Sequence, residues 1–193
     1  DIIELRKKYD LVFNCSYIQP FIGFNKIPKE AKWEVCAMPV MKDNNNFFND
    51  ISLTTMDGPY CSLYSCNNKN KNLFTLSSVV YTPFYKTIVF EDAMRKLKNV
   101  KNDQKQSFEY ISKIVDHNCQ FYNRDIILNE CEICDIYLTI KCKFEQDNGD
   151  LRVASLFREE NYCSIMSGKI SAFDDVYQNI CLSLIPTEDR RQK

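Results

Sequence analysis

Apolar and polar residues alternate with a period of two over most of the chain. The stretch DIYLTIKCKF (135–144) alternates most regularly, and shorter stretches rich in strand-forming residues lie before and after it. This period is typical of β-strands that rest one face on a core. The predicted strands cover residues 11–17, 33–37, 51–55, 59–66, 73–81, 135–144, 151–157, 162–170 and 176–184. Turn-forming stretches separate them, and the DNG at 147–149 predicts a hairpin.

Two segments break the alternation and show a helical period instead. In 87–99 acidic residues come early and lysines late, which suits the helix dipole, and in 107–118 Ser107 is a predicted N-cap. Apolar residues three and four apart form the predicted buried faces: Phe90, Ala93, Met94 and Leu97 in the first helix, and Phe108, Ile111 and Val115 in the second. The pattern as a whole predicts a mainly β fold, a two-sheet β-sandwich with two short helices, in a single domain over 1–193.

Composition narrows the classes of partner. A chain of 193 residues is long enough for one domain with a sizeable core. The formal net charge of −1 lacks the basic excess of nucleic-acid-binding proteins. The sequence contains no run of 18 apolar residues, so it predicts no membrane-spanning helix. The chain as given begins without the apolar segment of a signal peptide.

Ten cysteines are spread along the whole chain. An even number of scattered cysteines predicts a disulfide framework in an oxidising compartment, and the alternative is a cytosolic protein with structural thiols. The disulfide candidates are Cys15, Cys36, Cys61, Cys66, Cys119, Cys131, Cys134, Cys142, Cys163 and Cys181. The triplet Asn14-Cys15-Ser16 makes Asn14 a candidate glycosylation site, which also points to secretion.

The stretch CEICDIYLTIKC (131–142) contains a CxxC motif that raises the question of a metal or redox site. On a regular strand Cys134 and Cys142 face the core together but lie about 27 Å apart, too far to bond to each other. A zinc site needs a second cysteine pair at metal spacing, and none exists, although a site completed by two distant cysteines stays open. A redox CxxC begins a helix, whereas this one begins a strand. We therefore expect no metal and no cofactor.

Catalytic motifs are absent from the sequence. His117 is the single histidine, and no HExxH, GxSxG, GxGxxG or phosphate-binding loop occurs. A thiol–imidazole pair of His117 and Cys119 lacks an orienting third group, so we predict that the chain is not an enzyme. His117 follows Asp116 near a predicted helix end, and both features favour a protonated ring. His117 is therefore a candidate pH-sensitive residue for partner binding.

Three stretches, in this order, resemble the poxvirus immune-evasion domain family, which includes secreted chemokine-binding proteins. LFTLSSVVYTPF followed by IVFEDAMRKLKN resembles a strand, loop and helix of that domain. ECEICDIYLTIKC resembles its cysteine-flanked strand, and ENYCSIMSGKISAFDDVYQNIC resembles a later pair of strands. The resemblance covers residues 73–181 and implies a two-sheet β-sandwich that binds a host immune protein, with no catalytic residues.

The resemblance also sorts the cysteines and marks an insertion. By position the family-like cysteines are Cys131, Cys142, Cys163, Cys181, Cys36 and one of Cys61 and Cys66, whereas Cys15, Cys119 and Cys134 are additions. The segment near 99–129 is longer than the family pattern and brings its own helix, so we interpret it as a helical insertion.

Charge bears on which immune partner the resemblance implies. Family members that trap basic chemokines are strongly acidic, whereas this chain is near neutral and the loop MKDNNNFFND is mostly amide. The family also includes a cowpox virus protein that binds MHC class I and holds it in the secretory pathway. We therefore expect a protein of the endoplasmic reticulum lumen, or a secreted one, that binds MHC class I with β2-microglobulin. A chemokine decoy and an unrelated cysteine-rich parasite surface protein are the alternatives.

Overall fold

The computed structural model describes residues 1–56, 58–66, 72–144, 155–166 and 173–184. These ranges hold five helices: α1 (Ile2–Lys8), α2 (Phe90–Asn102), α3 (Gln104–Asn118), α4 (Arg124–Asn129) and α5 (Phe173–Leu184). They also hold nine strands: β1 (Val12–Asn14), β2 (Ala31–Asp43), β3 (Ser52–Thr54), β4 (Cys61–Ser65), β5 (Leu73–Ser78), β6 (Pro83–Thr87), β7 (Cys131–Phe144), β8 (Ser155–Glu159) and β9 (Tyr162–Met166).

The fold class is mixed α/β rather than mainly β. The prediction of two sheets is confirmed, since the described strands form one sheet of three and one of six. The predicted helix number is too low, because three helices accompany the two that the periodicity indicates. No described helix has the length and apolar character that crossing a bilayer requires.

The chain divides into two compact units, residues 1–32 with 142–193 and residues 33–141. In the first unit β1 runs parallel to β9, and β9 pairs antiparallel with β8. Phe21 is buried and contacts the rings of Phe144 and Phe157. The Tyr162 hydroxyl donates to the Ile22 carbonyl at 2.7 Å, which fastens the 20s loop to β9.

The six-stranded sheet belongs to the second unit and is built around β2. β5 and β6 pair antiparallel with successive halves of β2, and β4 and β3 continue the sheet beyond β5. β7 also pairs with β2. The Asn44 amide donates to the Glu130 carbonyl and Lys42 pairs with Glu132, so β7 runs antiparallel to β2.

Helices α3 and α4 close the core of the second unit. Its apolar cluster joins side chains of the sheet to side chains of these helices: Met41, Leu63, Phe74 and Leu76 from strands, and Ile114, Val115 and Ile127 from helices. All are buried, and burial of a large apolar side chain contributes roughly 1.5–3 kcal/mol. The segment near 99–129, interpreted as an insertion, therefore supplies part of the core.

Two elements differ in kind from their prediction. Residues 176–184 lie in helix α5 rather than in a strand, and the half-buried Val176 and Ile180 are one helical turn apart. The apolar residues there fit both the strand period and the helical period, so the apparent alternation gave the wrong prediction. Helix α1 was not predicted, although Asp1 caps it by accepting from the Ile3 amide. The hairpin at 147–149 lies outside the described residues.

The faces of α2 and α3 are rotated from those predicted. Met94 and Phe108 are exposed, whereas Val100 and Ile114 are fully buried. Ser107 is not an N-cap, because α3 begins at Gln104 after the capping side chain of Asp103. The Ser107 hydroxyl instead donates to the Val100 carbonyl at 2.6 Å and joins the two helices.

Candidate functional site

All ten cysteines lie in the described ranges, and there they are free thiols with no pair at disulfide-bonding distance. Four are buried (Cys36, Cys61, Cys142 and Cys163), three are half-buried (Cys119, Cys131 and Cys181) and three are exposed (Cys15, Cys66 and Cys134). The disulfide framework stays a prediction.

The two cysteines of the CxxC motif have different surroundings. Cys131 packs against the core cluster, whereas Cys134 is exposed and its thiol donates to the Val40 carbonyl at 3.3 Å. The prediction that Cys134 faces the core is wrong, because Cys134 and Asp135 are both exposed and the alternation changes phase there. Among the described residues no three His, Cys, Asp or Glu side chains group as metal ligands do.

Burial makes the thiols of Cys66, Cys131 and Cys142 less acidic rather than more reactive. It raises the pKa of Cys142 to about 12 and, with the nearby Asp43 and Glu130 carboxylates, the pKa of Cys131 to about 11. The pKa of Cys66 is raised by burial and by the neighbouring Cys134. Because the thiolate is the nucleophile, these environments disfavour thiol catalysis.

We expect alkylation of the native protein to follow this order of environments. At pH 8 iodoacetamide should label the exposed Cys15 rapidly, Cys134 more slowly because burial raises the pKa of its thiol, and Cys142 only after unfolding. The rate at Cys131 should still climb between pH 9 and 10, because a raised pKa leaves its thiolate fraction far from saturation. Mass spectrometry of timed digests measures each rate, and a Cys131 rate that levels off near pH 9 would contradict the burial of this thiol.

His117 lies in the last turn of α3 and is buried rather than on the surface. Its ring packs edge-on against Tyr81 at 5.5 Å and Phe121 at 5.3 Å, and its Nδ1 has no hydrogen-bond partner in the described part of the chain. The Cys119 amide donates to the Val115 carbonyl as the helix ends. This packing holds the imidazole ring between two aromatic side chains.

The predicted glycosylation site is engaged in the fold. The Asn14 side-chain amide donates to the Gln19 and Pro20 carbonyls at 2.9 and 3.0 Å, and its oxygen accepts from the Ser16 amide. A glycan on Asn14 would replace one of the two donating hydrogens, so attachment would have to precede closure of this loop. Glycosylation of Asn14 stays a prediction.

The amide-rich loop after β2 has little free negative charge. Asp43 is buried, and its carboxylate accepts from the amides of Asn45 at 3.1 Å and Phe48 at 2.6 Å. Of the two aspartates in the loop, this leaves the exposed Asp50 as the one that faces solvent. The loop therefore offers a basic ligand weak electrostatic attraction.

An open groove of about 730 Å³ lies between β7 and helices α2 and α3. Its strand wall is residues 133–138, and its helical wall is Leu97, Lys101, Gln104, Ser107, Phe108 and Ile111. We call it the β7 groove. Its volume is typical of ligand-binding clefts. Phe108 is 59 % exposed there and Tyr137 54 %.

No pattern in the sequence indicated this groove. Phe108 was predicted to be buried. The sequence feature that could have indicated the groove is that α3 has enough other apolar residues, Ile111, Ile114 and Val115, to face the core, so that Phe108 is left for the surface. The chain matches no family model, no curated protein and no solved structure. The resemblance to the poxvirus domain is therefore carried by the three quoted stretches alone.

Proposed function

We propose that this chain is a viral immune-evasion protein that binds host MHC class I in the secretory pathway and prevents its display on the cell surface. The observation that carries a binding role is the β7 groove, an open groove with exposed aromatic side chains of the kind that anchor protein partners. The order of the three family-like stretches supports the immune partner. The packing of the two sheets as a sandwich is part of the same proposal.

Charge favours MHC class I over a chemokine as the partner. Basic ligands are captured by acidic surfaces, whereas this chain has a net charge of −1 and buries the Asp43 carboxylate in its amide-rich loop. The β7 groove carries both signs, Lys101 and Asp135. A chemokine decoy of the same fold is the second candidate, and an unrelated cysteine-rich parasite protein is the third.

Expression of the chain in human cells separates these candidates. Directed to the endoplasmic reticulum with a signal peptide and a retrieval tail, it should lower surface MHC class I in flow cytometry while total class I is unchanged. The matched control is the same fusion with Phe108→Ala and Tyr137→Ala, both at exposed positions of the groove. Unchanged surface class I together with inhibited chemokine-driven cell migration would favour the decoy, and no effect in either assay would reject both.

His117 is the proposed source of a pH dependence of this binding. His117→Phe keeps a ring between Tyr81 and Phe121 and removes the imidazole, so any pH dependence of binding that comes from this residue should be lost. Binding titrations at several pH values measure this. A wild-type profile retained by the variant would remove His117 from the proposal.

A further inference from the structure

The strand wall of the β7 groove is a strand edge that pairs with no other strand in the described part of the chain. Residues 133–138 are six consecutive positions and all line the groove. From Asp135 to Leu138 consecutive side chains point to opposite faces of the strand, so a groove that touches all of them runs along the edge of the strand. Among the described strands β7 pairs with β2 alone, which leaves this second edge open.

The edge is guarded by a side chain. The Ile136 amide donates to the Asp135 carboxylate at 2.7 Å. A charge on an edge strand prevents uncontrolled pairing with other chains while leaving the edge available to a specific partner. The Asp135 carboxylate therefore accepts from the Ile136 amide, which in the complex would donate to a carbonyl of the bound strand instead.

The helical wall combines polar and apolar side chains. Phe108 of α3 is exposed and Leu97 of α2 is half-buried, whereas Ser107 and Ile111 are buried. A strand edge beside a helix that presents apolar side chains is the arrangement in which an extended peptide adds to a sheet and places alternate side chains against the helix. Six residues of strand span roughly 20 Å, enough for a segment of similar length.

Charge at one end of the groove indicates what the segment carries. Lys101 lines the groove, Lys98 lies one turn earlier on α2, and Lys105 lies in the first turn of α3. All three are exposed, and none makes a hydrogen bond or ion pair within the described ranges. The nearby Asp103 carboxylate, which caps α3, offsets one of these three positive charges and leaves an excess of positive charge. The end of the groove at the α2–α3 turn is therefore complementary to acid.

We infer that the β7 groove binds an extended peptide segment of a protein partner, with apolar residues at alternate positions and acidic residues at the α2–α3 end, as an added strand on β7. This rests on the proposed function only in that the chain is a binding module. The segment can belong to MHC class I or to another partner with this pattern.

Fluorescence anisotropy with defined peptides tests the inference on the whole chain. The probes are labelled Ser-Val-Thr-Leu-Ser-Ile-Glu-Glu-Glu and the peptide of reversed order, since a strand can add in either direction. One of them should bind at least about tenfold more tightly than its counterpart with lysines in place of glutamates. Methylating alternate backbone nitrogens of that peptide should weaken binding by about tenfold or more, because it removes strand donors and keeps the side chains.

Variants of the chain complete the test. Lys101→Glu and Phe108→Ala should each weaken peptide binding about tenfold, whereas Lys7→Glu, at an exposed lysine of α1, should leave it unchanged. Equal binding of the glutamate and lysine peptides, or no effect of backbone methylation, would overturn the inference. So would a dimer in analytical ultracentrifugation that Phe108→Ala dissociates, since a second copy would then occupy the groove. Class I binding measured on the same variants separates this failure from failure of the proposed function.

Discussion

Replacing both Lys86 and Lys141 with methionine should lower the free energy of unfolding by about 3–5 kcal/mol. These two ammonium groups lie 3.2 and 3.0 Å from the two carboxylate oxygens of Glu34, whose side chain is only 3 % exposed. The double variant keeps the carboxylate buried and removes both cations. Removing the cations that face a buried carboxylate costs far more than the ion pair itself contributes.

A third substitution makes this prediction specific to charge. Adding Glu34→Met to the double variant removes the buried carboxylate and should recover most of the lost stability. Replacing a whole buried ion cluster with apolar residues often leaves the free energy of unfolding unchanged. The matched control is Lys42→Met with Glu132→Met, an exposed pair on β2 and β7, which should change stability by less than about 1 kcal/mol. Urea denaturation measures all three. A triple variant no more stable than the double variant would show that packing, not charge, governs the site.

Ile114→Ala and Ile127→Ala should each lower the free energy of unfolding by about 2–5 kcal/mol, because both side chains are fully buried in the core cluster. The residues lie on α3 and α4, within the segment near 99–129 that the family resemblance marks as an insertion. An insertion carried on the surface would tolerate such changes. Here the loss of either side chain leaves a cavity in the core cluster.

The control for these variants lies on the same helix. Phe108→Ala removes a larger side chain from an exposed position and should cost less than about 1 kcal/mol. Thermal and urea unfolding of the three variants side by side measure the difference. A cost below about 1 kcal/mol for both isoleucine variants would show that α3 and α4 are not part of the core.

Local patterns were sufficient to predict the elements whose two faces differ. The alternation of residues 135–144 predicts the C-terminal part of β7, and the periods of α2 and α3 indicate both helices. They failed where apolar residues fit two periods, as in α5, and where a strand changes phase, as at Cys134 and Asp135. A phase change depends on how β7 pairs with β2, which neighbouring residues along the chain do not determine.

The β7 groove could not be predicted from local sequence patterns for a related reason. The β7 groove joins Leu97 and Phe108 to residues 133–138, and this proximity is set by how α2 and α3 pack on the sheet. The charge pattern of α2 was visible in the sequence, where the late lysines suit the helix dipole. Their relevance to a groove follows only from the edge of β7 that lies beside α2.

The central claim is that this chain binds MHC class I, and surface plasmon resonance tests it most directly. Soluble class I with β2-microglobulin and a panel of basic chemokines should be passed over the immobilised chain, with the variant Lys101→Glu on a parallel surface. The account predicts saturable binding of class I, weaker on the variant, and no binding of the chemokines. Saturable chemokine binding without class I binding would contradict it.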